Sequence, residues 1–128
     1  ISQESFDRTL QYMKERKQFG AFIGSFQALQ HRAAHWWSEI ELCKSVVLKA
    51  LQSIDEADVK SSALASIAKA KLCEVAELST NEAIQLHGGI GMTDEYEIGF
   101  FIKRARPAQA LFGDYNYHAD RYALLCGY

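Results

Sequence analysis

Two short stretches carry most of the chemistry this chain can offer. Glu15-Arg16-Lys17-Gln18-Phe19-Gly20 stands near its start, and Gln85-Leu86-His87-Gly88-Gly89-Ile90-Gly91 stands well beyond the middle. The first sets two cations, an amide and an aromatic ring at the end of a helical pattern. Arginine offers a permanently charged planar fork that suits a pyrophosphate. A solvated helix end fits the same residues. In the second, three glycines in four positions let a phosphate or a neighbouring backbone approach closely. That stretch follows a helix rather than a strand, so it is not the dinucleotide fingerprint. By itself it also describes a helix C-cap and loop.

Other candidates carry less. His31 and His35 sit one helical turn apart, which is half of a zinc site. Arg32 stands where a zinc-protease helix has glutamate, and no third ligand is in view. Cys73 and Glu74 share a helical segment without a matching partner, so no metal is expected. His118, near Asp114 and Asp120, has the chemistry of an acid–base group, although an exposed last helix often carries such residues. No Ser-His-Asp or Cys-His arrangement follows from spacing. Trp36 and Trp37, with six tyrosines and seven phenylalanines, read most simply as core and interface mass.

The elements that must position these residues are helical nearly everywhere. Phe6, Leu10 and Met13 mark a first helix that stops near Phe19-Gly20, and Ser25 is placed to cap the next. Phe26, Leu29, Ala33, Trp36, Ile40, Cys43, Val47, Ala50 and Ile54 then recur at spacings of three and four. Asp55-Glu56-Ala57-Asp58 is the turn, with an aspartate as cap. Leu64, Ile67, Ala68, Leu72, Val75, Ala76, Ala83 and Leu86 mark a third long helix ending at Gly88-Gly89. Glu95 to Arg104 forms a shorter helix burying Ile98, Phe101 and Ile102, and Pro107 predicts a kink or restart. Asp114 caps a last helix through Tyr122 and Leu125. No strand-like alternation persists. The expected fold is all-α, an up-and-down four-helix bundle with the short terminal helices packed across one end.

Composition agrees with a single domain. The chain has 128 residues, 48% apolar and 23% charged, with one proline. A net charge of -2 gives no footprint for nucleic acid. Apolar runs are only a few residues long, against the roughly 20 that span a bilayer. No basic–apolar–small pattern in these residues marks a secretion signal. Cys43, Cys73 and Cys126, an odd count without a close pair, read as reduced thiols. A bacterial cytoplasm is favoured over a mitochondrial matrix. The start at Ile1, dropping almost at once into a helix, is expected to be a cut through a longer chain.

Taken together and in order, the two opening stretches, with Phe26-Gln27-Ala28-Leu29-Gln30 after the first and Met92-Thr93 through Glu95-Tyr96 after the second, resemble the C-terminal helical domain of acyl-CoA dehydrogenases. The likeness covers essentially the whole of residues 1–128. It implies an FAD flavoenzyme with two further domains before this one, an N-terminal helical domain and a middle β-domain. It implies oxidation of an acyl-CoA thioester between its α and β carbons, a homodimer or homotetramer with FAD across a subunit boundary, and an electron-transfer acceptor. Carried over by position, Arg16 meets the FAD pyrophosphate, and Gln18, Phe19, Phe26 and Gln27 are cofactor contacts. Gln85, Gly88 and Gly89 match the adenosine-end contacts.

One departure matters. Many members have a Tyr-Glu-Gly-Thr segment after the last bundle helix, whose glutamate removes the substrate α-proton. This chain reads Leu111-Phe112-Gly113-Asp114, and Phe112 cannot accept a proton. Gly113 is kept where the family lines the acyl pocket. Asp114 stands at the threonine position, a cofactor contact, and Tyr115 and Asn116 stand at further flavin contacts. The resemblance leaves a base on an earlier helix, upstream of Ile1, or a mixed assembly in which this subunit lacks the base. Phe-Gly-Asp followed by His118 and Arg121 also resembles branches acting on bulkier acyl-CoA substrates. From another class, a helical interaction module without redox activity stays open.

Overall fold

The computed structural model describes every residue from Ile1 to Tyr128. Five α-helices account for most of the chain: α1 (Ser2–Glu15), α2 (Gln27–Asp55), α3 (Ser61–His87), α4 (Ile98–Ala110) and α5 (Tyr115–Leu125). No helix is long and apolar enough to cross a membrane.

The long pair α2 and α3 is antiparallel, and its register is written in polar contacts. Arg32 forks onto Glu82 at 2.8 and 3.0 Å, Trp36 reaches Ser79, and Lys71 reaches Glu39 at 2.5 Å. As the residue number rises on α2 it falls on α3. The Lys71 ammonium holds the Glu39 carboxyl below its ordinary range. Helix α1 runs parallel to α3: Ile1 and Ser2 lie near Leu72 and Ala76, while Tyr12 lies against His87. Helices α4 and α5 follow one another down α3 in the opposite sense, with Gln109 against Cys73, then His118 against Ser66 and Arg121 against Ser62. The bundle is therefore up-and-down with a broken fourth helix. The last helices lie along α3 rather than across one end, where Cys73 meets Gln109 and Ser66 meets His118 and Arg121.

The core lies between α1, α2 and α3. Phe6, Met13, Ile23, Trp36, Ile40, Cys43, Val75, Leu86 and Ile98 form one buried cluster, with Phe6 edge-on to Trp36 at 4.9 Å. Burial in this apolar setting raises the Cys43 thiol above its ordinary range.

Several local expectations are corrected. Helix α1 ends at Glu15, not at Phe19-Gly20, and the chain turns into a two-stranded antiparallel hairpin, β1 (Lys17–Gln18) and β2 (Ala21–Phe22). Phe19 and Gly20 form its tip with φ of 53° and 78°, the left-handed pair that a two-residue hairpin loop requires. Ser25 does not cap α2; its hydroxyl donates to the Phe22 carbonyl at 2.7 Å and closes a single 3₁₀ turn, leaving Phe26 at the cap position. Asp58 accepts from the Lys60 amide at 2.9 Å, so it shapes the α2–α3 turn while Lys60 is the cap residue of α3. Ile54, at the protruding end of α2, is exposed. The short fourth helix starts at Ile98, three residues later than expected, and buries Ile98 fully while Phe101 and Ile102 are half-buried. Pro107 lies inside α4 and does not end it. It stands near the C-terminus, where one missing amide leaves only the carbonyl of exposed Lys103 to water.

Candidate functional site

The cleft with the most chemistry lies where α1 ends beside the end of α3. It measures about 370 Å³ and is walled by Tyr12, Arg16, Gln18, Leu29, Arg32, Gln85, His87, Gly88 and Gly89, among others. Residues drawn from both opening stretches thus meet in one place. Arg16 caps α1: its amide donates to Tyr12 and its carbonyl accepts from Ile23 at 2.8 Å, so the chain is pinned on both sides of the side chain. Its guanidinium takes part in no ion pair, whereas Arg32 in the same cleft is already matched by Glu82. The cleft therefore holds one uncommitted positive charge, with the amides of Gln18 and Gln85 beside it.

The glycines divide the work. Gly88 ends α3 with φ of 67°, a conformation that favours glycine. At Gly89 a Cβ would meet nothing within 4 Å, so the surface there is open to a ligand. At Gly91 a Cβ would stand 2.9 Å from the Ile84 carbonyl oxygen. Gly91 thus lets two backbone segments touch, whereas Gly88 and Gly89 both lie bare in the cleft. Both purposes suggested by the glycine spacing are present, at different glycines.

Tyr12, Leu29, Arg32 and His87 line this cleft without having been picked out as contacts. Tyr12 stands one turn before Arg16, and Arg32 three residues after Leu29, so helical periodicity alone places each pair on a shared face. His87 is 4% exposed, its Nδ1 lies 2.7 Å from the Ala83 carbonyl, and its Nε2 has no partner. The carbonyl requires Nδ1 to carry the proton. Burial lowers the imidazole below its ordinary range, a pull only partly opposed by the Ala83 hydrogen bond.

The remaining expected contacts lie elsewhere. Phe19, 94% exposed at the hairpin tip, and half-buried Phe26 form an edge-to-face pair at 6.4 Å, with Gln27 exposed at the first turn of α2. They flank the cleft and do not line it. Asp114 and Asn116 border a separate groove with Cys73, Glu74, Arg106 and Gln109. Cys73 and Gln85 are twelve positions apart on α3, so the two places are roughly 18 Å apart along that helix. One carboxylate oxygen of Asp114 accepts from the Tyr117 amide at 2.9 Å and caps α5. Phe112 is 84% exposed, and Gly113 is left-handed beside it. His118 is a structural clamp: Nε2 faces the Phe112 carbonyl at 3.0 Å and Nδ1 faces Ser66. His31 and His35 are exposed on α2, and no three His, Cys, Asp or Glu groups gather as metal ligands.

Fold and site define an all-α bundle domain with a polar, glycine-edged cleft at one end and no nucleophile–base pair beside it. The family model described as "Acyl-CoA dehydrogenase, C-terminal domain" matches residues 1–123. The acyl-CoA dehydrogenase IpdE2 of Mycolicibacterium smegmatis is 39% identical over 107 residues, 84% of this chain and 32% of that protein. The mitochondrial short/branched chain specific acyl-CoA dehydrogenase of Rattus norvegicus is 38% identical over 106 residues, 83% of this chain and 24% of that protein. Among solved structures, PigA with FAD and proline superposes with a TM-score of 0.90 at 26% identity, over 98% of this chain and 32% of that one. The chain belongs to the acyl-CoA dehydrogenase family and corresponds to its C-terminal helical domain. It spans about a third or less of these relatives' length.

Proposed function

We propose that this chain is the C-terminal part of an FAD-dependent acyl-CoA dehydrogenase whose remaining domains precede it. The observation that carries the reading is Arg16, an uncommitted guanidinium in a cleft whose opposite edge is bare glycine backbone. A pyrophosphate fits that setting, since the fork supplies charge-assisted hydrogen bonds and Gly89 presents no side chain to obstruct a nucleotide. A cleft of about 370 Å³ takes part of a dinucleotide, in keeping with FAD shared with other domains or a neighbouring subunit. When bound, FAD supplies the hydride-accepting chemistry of α,β-oxidation. This domain binds and orients it.

The chain's own residues set a limit on the proton step. Phe112 has no acceptor, and Asp114 spends a carboxylate oxygen on the α5 cap. In this reading the base that takes the α-proton is assigned to another segment of the full protein or to another subunit. That favours, as a second reading, a subunit of a mixed assembly that completes the FAD site without holding the base. Exposed Leu42, Leu48, Leu51 and Ile54 along α2 suit packing between subunits, as a homo-oligomer or a mixed one. A bacterial cytoplasm is the proposed location, a point on which relatives from bacteria and mitochondria leave both settings represented.

Absorbance of the full-length protein tests this. Bound flavin that bleaches anaerobically with an acyl-CoA supports the enzyme. Flavin that bleaches only with a partner chain present supports the mixed assembly. A colourless protein that FAD cannot reconstitute overturns both and leaves an interaction module.

A further inference from the structure

Arg32 and Glu82 meet between α2 and α3 at the edge of the cleft that holds Arg16. Nε of the arginine lies 2.8 Å from one carboxylate oxygen of Glu82, and one Nη lies 3.0 Å from the other. That contact uses a single edge of the guanidinium. Of its five N–H donors, two go to Glu82 and the other three bond nothing within the chain. The positive charge is matched, but the donors are not.

The pair is lopsided in its exposure. The Glu82 side chain is 18% exposed and that of Arg32 41%. Arg32 forms part of the cleft wall, and Glu82 stands behind it, outside the lining. A clamp between α2 and α3 would not call for this arrangement, because Trp36–Ser79 and Lys71–Glu39 fix the register of the two helices further along.

Charge gives a second argument. A dinucleotide pyrophosphate carries one negative charge on each phosphorus. Helix α1 ends at Glu15 and α3 at His87, so two helix C-termini, the negative ends of their dipoles, border the cleft. Only the start of α2, with Leu29 and Arg32 in the wall, brings a positive end there. Arg16 answers one phosphate and leaves the other to uncharged amides, unless a further cation turns its donors inward.

We propose that Arg32 is a second pyrophosphate contact through its free edge, and that Glu82 is the positioning residue that holds the guanidinium in that attitude. The carboxylate offsets part of the arginine charge. In return it removes beforehand the rotamer freedom that a long, half-open side chain loses on binding. The inference rests on the FAD reading above and adds to it how this cleft meets the second phosphate.

The test measures binding of FAD, ADP and adenosine to the full-length protein freed of flavin. Equilibrium dialysis is run at low salt and at about 0.5 M salt, where charges are screened to within a few ångströms. Arg32→Ala is expected to weaken FAD and ADP by roughly tenfold each, and adenosine by less than about twofold. Glu82→Ala removes a negative charge near an anion, which by charge alone would tighten binding. At high salt it is expected instead to weaken FAD by about threefold, because the fork is no longer held. Glu82→Gln keeps an acceptor for the fork and should restore high-salt affinity to within about twofold of wild type. The double variant Arg32→Ala/Glu82→Ala should match Arg32→Ala alone, since Glu82 acts through Arg32. Unchanged FAD binding in Arg32→Ala, an adenosine loss equal to that of ADP, or tighter high-salt binding in Glu82→Ala each overturns the inference. Where Glu82→Ala fails to fold, Arg32→Ala and Glu82→Gln still decide it. Wild-type protein that binds no FAD overturns the flavoenzyme reading itself and takes the inference with it.

Discussion

The ring of Tyr12 lies on the imidazole of His87, with centroids 4.3 Å apart and 26° between the planes. One residue belongs to the last turn of α1 and the other ends α3. Their stacking joins the arginine-bearing stretch to the glycine-bearing one and makes a single cleft of two helix ends. Tyr96 closes the aromatic group, its ring 5.0 Å from His87 and 6.1 Å from Tyr12.

Arg16→Ala in the full-length protein should release FAD more readily, by roughly tenfold in Kd or more, for loss of a charge-assisted contact. Arg16→Lys should recover only part of this, since a point charge replaces a bidentate fork. Equilibrium dialysis of the flavin checks both. Unchanged affinity would remove Arg16 from the site.

Gly89→Ala and Gly91→Ala separate ligand space from packing space. The first adds a methyl where nothing stands within 4 Å and should leave the melting temperature unchanged while weakening flavin retention. The second drives a Cβ to 2.9 Å from the Ile84 carbonyl and should cost about 1–3 kcal/mol of stability. Thermal unfolding followed by circular dichroism, beside flavin content, distinguishes them.

His87 predicts a pH dependence of defined sign. Burial depresses its folded-state pKa below the unfolded value near 6.5. The unfolded chain then binds the proton more readily than the fold. Stability from this residue is fully present above roughly pH 6.5 and declines as pH falls, until the folded form itself protonates. His87→Asn, which keeps a donor toward Ala83, should shrink the stability difference between about pH 7.5 and 5.5, above the range where most carboxylates titrate. Urea unfolding at the two pH values measures it, and an equal difference in both proteins would contradict the assignment.

The indole Nε1 of Trp36 donates to Ser79 Oγ at 2.8 Å with both residues 0% exposed. Ser79→Ala leaves that donor unpaired in the core and should cost about 1–3 kcal/mol. Chemical denaturation checks the value, and a loss below about half a kcal/mol would mean the indole finds another acceptor.

Much of this was legible beforehand because helices are local objects. The spacing of Ala33, Trp36, Ile40 and Cys43 names the buried face of α2, and each is buried. Helix ends were read less well. Ser25 and Asp58 have the side chains of caps, but the hairpin and the α2–α3 turn gave those groups other partners two or three residues away. Pro107 looked like a breaker, yet near the end of α4 it forfeits a single bond. His118 had the chemistry of an acid–base group and is instead tied to the Phe112 carbonyl.

The sequence by itself determined the all-α class, the two stretches that matter and the absence of a base at Phe112, since side-chain chemistry and a period of 3.6 residues need no knowledge of distant neighbours. Only the tertiary structure decided that Arg16 and Gly89 share a cleft, that Gly91 serves packing, and that Asp114 and Asn116 lie on another part of the bundle. Those outcomes depend on which helix packs against which and in what direction. Periodicity identifies an apolar face, but the partner it meets is selected by burial, and by pairs such as Trp36–Ser79 and Arg32–Glu82, across the folded chain.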